Sequence, residues 1–340
     1  MKSKYIIPIF VPHRGCNNMC VFCNQRKISG EINDLTSDDV ERIIEEYLKI
    51  NSAVSYNNIQ VAFYGGSFTG IEKEKQIEFL EVTKKYIENK KIESVRLSTR
   101  PDYINYEILQ YLKEYGVKTI ELGVQSLNQN VLDASKRGHS EEVVYSASKA
   151  IKEYGFELGL QMMIGLPNSN EELEYETAKK IISLNPNIVR IYPTLVIKDT
   201  ELAQMYELGV YKPYTIEKSI EICAKLLQCF ENHDINVIRI GLQTTDNINE
   251  GKDVLAGPFH PSFGELVRQR QIRNIIEDKI KNECIENDIV IYCNNKDISK
   301  IVGNRKCNIK YFKDKFDIKI KVCEANNLRQ GEYKIKEEII

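Results

Sequence analysis

The feature that most constrains the fold is an alternation of short, β-branched apolar runs with longer segments of helical spacing. The runs are Ile6–Phe10, Ile59–Tyr64, Ser94–Ser98, Thr119–Val124, Glu157–Ile164 and Ile188–Tyr192. Between them, Ser37–Lys49 places Val40, Ile43, Ile44, Tyr47 and Leu48 on one face. Glu72–Asn89, Asn105–Tyr115, Ser140–Tyr154 and Asn170–Leu184 have the same character. A strand that feeds a helix and returns parallel makes a right-handed unit, and repeats of that unit give a parallel sheet. The pattern predicts an α/β fold, a partial (β/α)6 TIM-like barrel. A flat doubly wound sheet is the competing architecture. A seventh run, Asn236–Ile240, follows a helical segment at Ile216–Asn232 and reads as a closing strand.

The residues after each run favour the barrel. A cysteine loop follows the first run, and Gly65-Gly66-Ser67-Phe68 the second. Thr99-Arg100-Pro101-Asp102 follows the third, Gln125-Ser126 the fourth, Gly165-Leu166-Pro167 the fifth and Pro193-Thr194 the sixth. The C-terminal ends of parallel barrel strands converge on one mouth, so special residues at each end point to one site.

The stretch Thr244–Gly257 is polar and aperiodic, which sets an expected boundary between domains 1–245 and 246–340. The second reads as a small C-terminal α/β extension. It has a helix at Glu265–Lys281, then strands at Ile289–Cys293 and Ile318–Cys323 around short helices. Lys296–Lys321 carries nine Lys and Arg against three Asp. That run suits phosphate contacts, and equally an ordinary solvated face. The whole chain has 47 basic and 49 acidic residues, a net charge of −2, which excludes a grossly basic nucleic-acid coat. No apolar run approaches the ~20 residues of a membrane helix. The N-terminal apolar run stops at Pro12-His13-Arg14 with no small-residue cleavage site, so it reads as a strand and not a leader. The expectation is a cytoplasmic protein with no membrane partner.

Nine cysteines, an odd number in a chain without secretory features, argue against a disulfide framework. Cys223, Cys229, Cys284, Cys293, Cys307 and Cys323 are scattered, with no Cys-x2-Cys pair, and read as packing. Cys16, Cys20 and Cys23 fall in one loop as Cys-x3-Cys-x2-Cys. Structural zinc takes four ligands, and His13 could complete such a set. An iron–sulfur cubane held by three thiolates leaves one iron open, which is a catalytic arrangement.

The Cys-x3-Cys-x2-Cys spacing after the first strand of a β/α barrel resembles the radical S-adenosylmethionine (SAM) superfamily. The resemblance implies that Cys16, Cys20 and Cys23 hold a 4Fe–4S cluster whose open iron is chelated by SAM. It implies reductive cleavage of SAM to methionine and a 5′-deoxyadenosyl radical. Phe22 stands where that family packs an aromatic on the cluster. Gly65, Gly66 and Ser67 match its glycine segment for the SAM amino group, and glycine lets backbone approach closely there. Arg100, Gln125, Ser126, Gly165, Arg190 and Tyr192 match strand-end positions that contact the cofactor. Catalytic residues other than these remain unassigned.

Gly65–Gly70, Ser98–Tyr103, Glu121–Ser126, Met163–Pro167 and Arg190–Val196 resemble one branch, the Elongator protein 3 group, over about residues 5–245. That branch usually has Lys where this chain has Arg190, and it spaces its first two cysteines further apart. No pyrophosphate-cradling glycine loop follows Thr245, so acetyl transfer is not expected. The resemblance implies a tRNA substrate at a wobble uridine, and an electron donor such as flavodoxin or ferredoxin. Two other readings stay open: a radical SAM enzyme acting on a small molecule or protein, and a non-catalytic, zinc-stabilised RNA-binding protein. Among the histidines, His260 is weighed as a residue at the barrel mouth or a hydrogen-bonded structural group, and His139 as structural.

Overall fold

A computed structural model of the chain describes residues 5–11, 16, 20–24, 35–51, 58–242 and 252–337. Two compact units emerge. The first comprises residues 1–215 and 230–259, the second residues 216–229 and 260–340. The boundary expected at 245/246 lies outside the described residues.

Parallel pairing organises the first unit. Its strands are β1 (Tyr5–Val11), β2 (Ile59–Gly65), β3 (Ser94–Thr99), β4 (Val117–Gln125), β5 (Glu157–Ile164), β6 (Ile188–Pro193) and β8 (Asn236–Ile240). They form one sheet in the order β1-β2-β3-β4-β5-β6-β8. The helices are α1 (Ser37–Asn51), α2 (Lys73–Glu88), α3 (Tyr106–Glu114), α4 (Gln129–Ala134), α5 (Glu141–Glu153), α6 (Glu171–Ser183) and α7 (Glu201–Glu207). Between β6 and β8 a two-residue strand, β7 (Val196–Ile197), pairs antiparallel with β9 (Val254–Ala256).

The sheet is curled. Arg190 on β6 donates from Nη2 to the Tyr64 hydroxyl on β2 at 2.8 Å. In a flat sheet these strands, four spacings apart, would be separated by about 19 Å. The flat alternative therefore fails, and the expected partial barrel, with its closing seventh strand, is the observed fold.

Local chemistry sets the helix starts. Asn105, Asn128 and Asn170 precede α3, α4 and α6. Each accepts a hydrogen bond from the backbone N–H three residues on. Thr200 does the same for α7. The outer sheet face and the helices bury Ile7, Ile9, Val61, Leu97, Leu122, Leu160, Val189 and Ile191 at 0–1% exposure. Strands covered on both sides tolerate few polar residues unless these are paired, so the polar ones mark something other than packing.

The second unit joins the 216–229 part of α8 (Ile216–Glu231) to α9 (Phe263–Asn282). Arg270 on α9 bridges Glu217 and Glu221 on α8 at 2.7 and 2.8 Å. A small mixed sheet follows in the order β11-β10-β12, made of β10 (Ile289–Cys293), β11 (Ile320–Glu324) and β12 (Tyr333–Glu337). The short helices are α10 (Ile298–Val302) and α11 (Cys307–Phe316). Ile276, Ile280, Ile291, Phe312 and Ile318 are among its core. The expected strand Ile318–Cys323 begins later, because Ile318 closes α11 by donating its N–H to the Phe312 carbonyl. β12 was not expected from sequence. Its Tyr333 and Ile335 pack on the core between lysines, as suits an edge strand. No helix among the described residues is long and apolar enough to cross a membrane.

Because the caps are single side chains, Asn170→Ala should lower stability by about 1 kcal/mol. Urea unfolding would measure it, and a neutral outcome would mean solvent satisfies the Leu173 N–H equally well.

Candidate active site

Every strand of the curled sheet contributes to one pocket of 320 Å³ at its C-terminal mouth. Phe10, Tyr64 and Gly65 come from β1 and β2, and Ser98, Gln125, Gln161 and Met163 from β3, β4 and β5. Arg190 and Tyr192 come from β6, Arg239 from β8, and Phe22 and Cys23 from the loop after β1.

A buried carboxylate organises the floor. Glu121 on β4 is 1% exposed. Its Oε2 accepts from Arg190 Nε at 2.5 Å and from Gln161 at 3.2 Å. Its Oε1 accepts from Arg190 Nη2 at 3.2 Å and from Arg96 on β3 at 3.3 Å. Gln161 also donates to Ser98. Burial would lower the Arg190 pKa, but the Glu121 carboxylate outweighs that and raises it. Burial, then Glu121, raises the Tyr64 phenol, so it stays protonated and available as a donor.

Two expected residues are shaped by backbone geometry. Gly65 has φ +98°, and a Cβ there would lie 2.9 Å from the Val11 carbonyl oxygen. Only glycine meets both conditions without strain. Gln125 has φ +69°, uncommon for a side-chain-bearing residue. It sits where the β4–β5 register shifts between Gly123 and Gln125. Gln125 lines the pocket on the face it shares with Glu121, and its Oε1 is buried without a hydrogen-bond partner among the described residues.

Six of the expected residues line the pocket: Phe22, Cys23, Gly65, Gln125, Arg190 and Tyr192. The others stand behind it. Ser67 is buried, with its Oγ 3.1 Å from Cys16 Sγ. Gly66 donates its N–H to the Val11 carbonyl. Ser126 receives the Asn128 N–H and packs on Thr177. Gly165 donates to Glu174 at 2.6 Å and accepts from the Tyr211 hydroxyl at 2.6 Å, so its backbone is already engaged. Arg100 is 1% exposed and clamps Asp102 through two bonds of 2.9 Å. It also donates to the Arg137 carbonyl at 2.6 Å. Burial opposes its charge, and Asp102 more than restores it.

Arg137 was not anticipated. It is 6% exposed, and its guanidinium donates to the Gly123 carbonyl and, at 3.4 Å, to Cys20 Sγ. No carboxylate pairs with it among the described residues, and its Nε is unpartnered. A buried cation facing a thiol fits a group that brings negative charge to that thiol. The donor set also fits a cluster: three thiols lie on one segment, and none of the nine cysteines forms a disulfide. They do not converge in this structure, since no three His, Cys, Asp or Glu side chains among the described residues gather at one point. His13 lies outside the described residues. Ser98, Gln161, Glu121, Arg96, Tyr64 and Arg239 were also missed. For all but Arg239, which lies on the edge strand β8, the signal was present, as polar residues inside strands covered on both faces.

Elsewhere, His139 is buried, with Nδ1 3.2 Å from the Ser140 carbonyl. His260 Nδ1 accepts the Ser262 N–H at 3.0 Å, a structural turn. In the basic run, Lys300, Lys313 and Lys315 pair with Asp297, Asp317 and Glu277. Of the other six basic residues, Lys319 lies within electrostatic reach of Asp317, and none forms an ion pair among the described residues.

A curled parallel barrel with a thiol loop after β1 and a cofactor-sized pocket at its mouth defines a class of cofactor-dependent enzymes. A model of the radical SAM superfamily matches residues 10–181, and one of the Radical_SAM C-terminal domain matches residues 186–273. The chain belongs to the radical SAM superfamily. Within it the chain is Elongator protein 3-like. It is 36% identical over 154 residues to a tRNA uridine(34) acetyltransferase of Methanocaldococcus infernus, covering 44% of this chain and 29% of that protein. It is 28% identical over 194 residues to Elongator complex protein 3 of Saccharomyces cerevisiae, covering 51% and 35%. The chain thus matches about a third of these relatives' length. The solved structure of the Methanocaldococcus infernus Elp3 with residues 1–46 deleted shares the fold. Its TM-score is 0.64 at 23% identity, covering 84% of this chain and 64% of that one.

Replacing Glu121 with Gln should destabilise the protein by about 3 kcal/mol or more, because two buried arginines would lose their shared counter-charge. Chemical denaturation would measure this, and a loss below about 1 kcal/mol would mean water already screens the trio. His139 gives a pH test. Burial, and then the Arg137 guanidinium, lower its pKa from 6.5 to about 4. A depressed histidine contributes stability that is whole above 6.5 and is lost as pH falls toward 4. Denaturation midpoints should therefore drop between pH 7 and 4.5, and by less in His139→Gln.

Proposed function

We propose that the chain is a radical SAM enzyme that modifies RNA, with a tRNA wobble uridine as its target. The observation that carries the reading is the single pocket where Cys23, Gly65, Gln125 and Arg190 meet at the ends of different strands. Cys16, Cys20 and Cys23 are the residues that would hold a 4Fe–4S cluster. A cluster held there would supply the electron for reductive cleavage of SAM.

The chain's own residues do the rest. Gly65 leaves room for an amino group to reach backbone carbonyls at the end of β2. Gln125 Oε1 offers an unused buried acceptor to a hydroxyl or amine of the cofactor. Arg190, fixed by Glu121 and Tyr64, presents a cation that cannot move far, which favours a carboxylate in one orientation. Arg137 holds Cys20 and balances negative charge arriving at the thiols. Phe10, Phe22, Met163, Leu195, Ile197 and Leu242 form apolar walls that keep water from a reactive intermediate. The cofactor carries the chemistry, and the protein orients and shields it. The RNA assignment is supported by relatives named for tRNA uridine modification. The unpaired basic residues of the second unit suit phosphate contacts. An external electron donor of the flavodoxin or ferredoxin kind is required by the same reading.

The test is anaerobic reconstitution with iron and sulfide, then SAM and dithionite, with 5′-deoxyadenosine quantified with and without bulk tRNA. Product should form, rise with tRNA, and vanish in Cys23→Ala. Product indifferent to tRNA would move the substrate to a small molecule or protein. A colourless protein holding stoichiometric zinc and making no product would overturn the enzyme reading.

A further inference from the structure

Arg239 is a pocket cation with no counter-charge. Its Nε donates to the Gly241 carbonyl at 3.2 Å. No carboxylate pairs with it among the described residues, and the pocket lining contains no acid. The ionisable groups that face it are the Tyr192 and Tyr64 phenols and the Arg190 guanidinium. Burial first, and then Arg190, lower its pKa against the opposing Tyr192 and Tyr64 phenols, and no carboxylate among the described residues offsets them. Arg190 is different, because Glu121 is already committed to it and to Arg96. An arginine stays charged regardless, and a half-buried cation of this kind calls for an anionic ligand.

The backbone brings it there. The β6–β8 register shifts between Val189 and Arg190, so that Val189 faces Val237 but Arg190 faces Arg239. Regular pairing would have set Ile238 opposite Arg190. The bulge skips it and aims the arginine into the pocket, a use to which bulges beside binding sites are put. The cofactor carries one carboxylate, which the reading above gives to Arg190, the residue opposite Arg239 across the bulge. The anion at Arg239 therefore belongs to the second occupant of the pocket.

Resting on the RNA reading above, we propose that Arg239 is the phosphate-binding residue of the substrate subsite, taking the backbone phosphodiester next to the reacting base through its Nη groups. Chemistry on a base requires the nucleotide to leave its stack and enter the pocket, and its phosphate travels with it. The planar guanidinium matches two phosphate oxygens at once.

The test uses the cluster-reconstituted full chain and a fluorescent anticodon stem–loop RNA. That RNA is made with natural linkages, or with one neutral methylphosphonate on the 5′ or the 3′ side of the wobble uridine. Arg239→Gln should weaken binding of the natural RNA roughly 10- to 100-fold, and Arg239→Lys by less. A methylphosphonate on one side should weaken the wild type similarly and add little to the Arg239→Gln loss. SAM affinity, measured by equilibrium dialysis, should be retained in both variants, which also reports that they fold. Unchanged RNA binding in Arg239→Gln, or losses that simply add for both linkages, would overturn the proposal. So would a fall in SAM affinity, which would assign the arginine to the cofactor. Wild-type protein that cleaves SAM but neither binds nor responds to RNA would instead overturn the RNA reading, and this inference with it.

Discussion

The interior of the barrel depends on one buried carboxylate. Glu121 joins Arg96 on β3, Gln161 on β5 and Arg190 on β6, and Arg190 reaches Tyr64 on β2. Five consecutive strands are thereby tied on the inner face by polar contacts, while aliphatic side chains tie the outer face to the helices. A hydrophobic interior would close the barrel more cheaply, since buried ion pairs seldom repay their desolvation. What the ionic interior provides is geometry. It holds a cation at the pocket floor in one position, and it keeps the space above open for a polar ligand.

A register shift then decides part of what faces that space. Strict alternation would send Arg239 elsewhere, because a one-residue slip moves a side chain to the other face. The shift at Val189/Arg190 brings its guanidinium to the rim. Gln125 shares the inner face with Glu121 by alternation, and it carries the local strain of a positive φ at the other shift, Gly123/Gln125. Such strain persists where surrounding structure over-determines it, and functional rims are where it collects.

The same physics explains what could be read from the chain without coordinates. Alternating runs and helical faces gave every strand of the main sheet, because both patterns follow from burial on one side. Asn105 and Asn170 open two of the expected helical segments, and they cap those helices; the short helix that Asn128 caps was not expected. Gly65 and Gln125 were legible because they end strands whose ends must meet, and Cys23 because of its spacing from Cys16 and Cys20; Arg190 and Tyr192 were named through the family resemblance. Arg239 was not, since its place depends on a bulge that leaves no mark in composition. Nor was Arg137, which reaches Cys20 from a loop 117 residues away. Glu121 and Arg96 were legible in principle, as charges inside doubly covered strands, but their pairing needed the curl. β12 was missed because an edge strand guarded by Lys334 and Lys336 resembles a solvated tail.

Charge around the thiols completes the argument. Arg100 is satisfied by Asp102, and it fixes Arg137 through that residue's carbonyl. Among the described residues Arg137 is left with a carbonyl, a thiol and no acid, and Arg239 in the pocket with a carbonyl and no acid. Both cations are desolvated in part, and a protein stable with neither neutralised must spend folding free energy to keep them. The arrangement becomes favourable when negative charge arrives at two separate places, one at the thiol loop and one at β8. A pocket with two such deficits is built for two occupants.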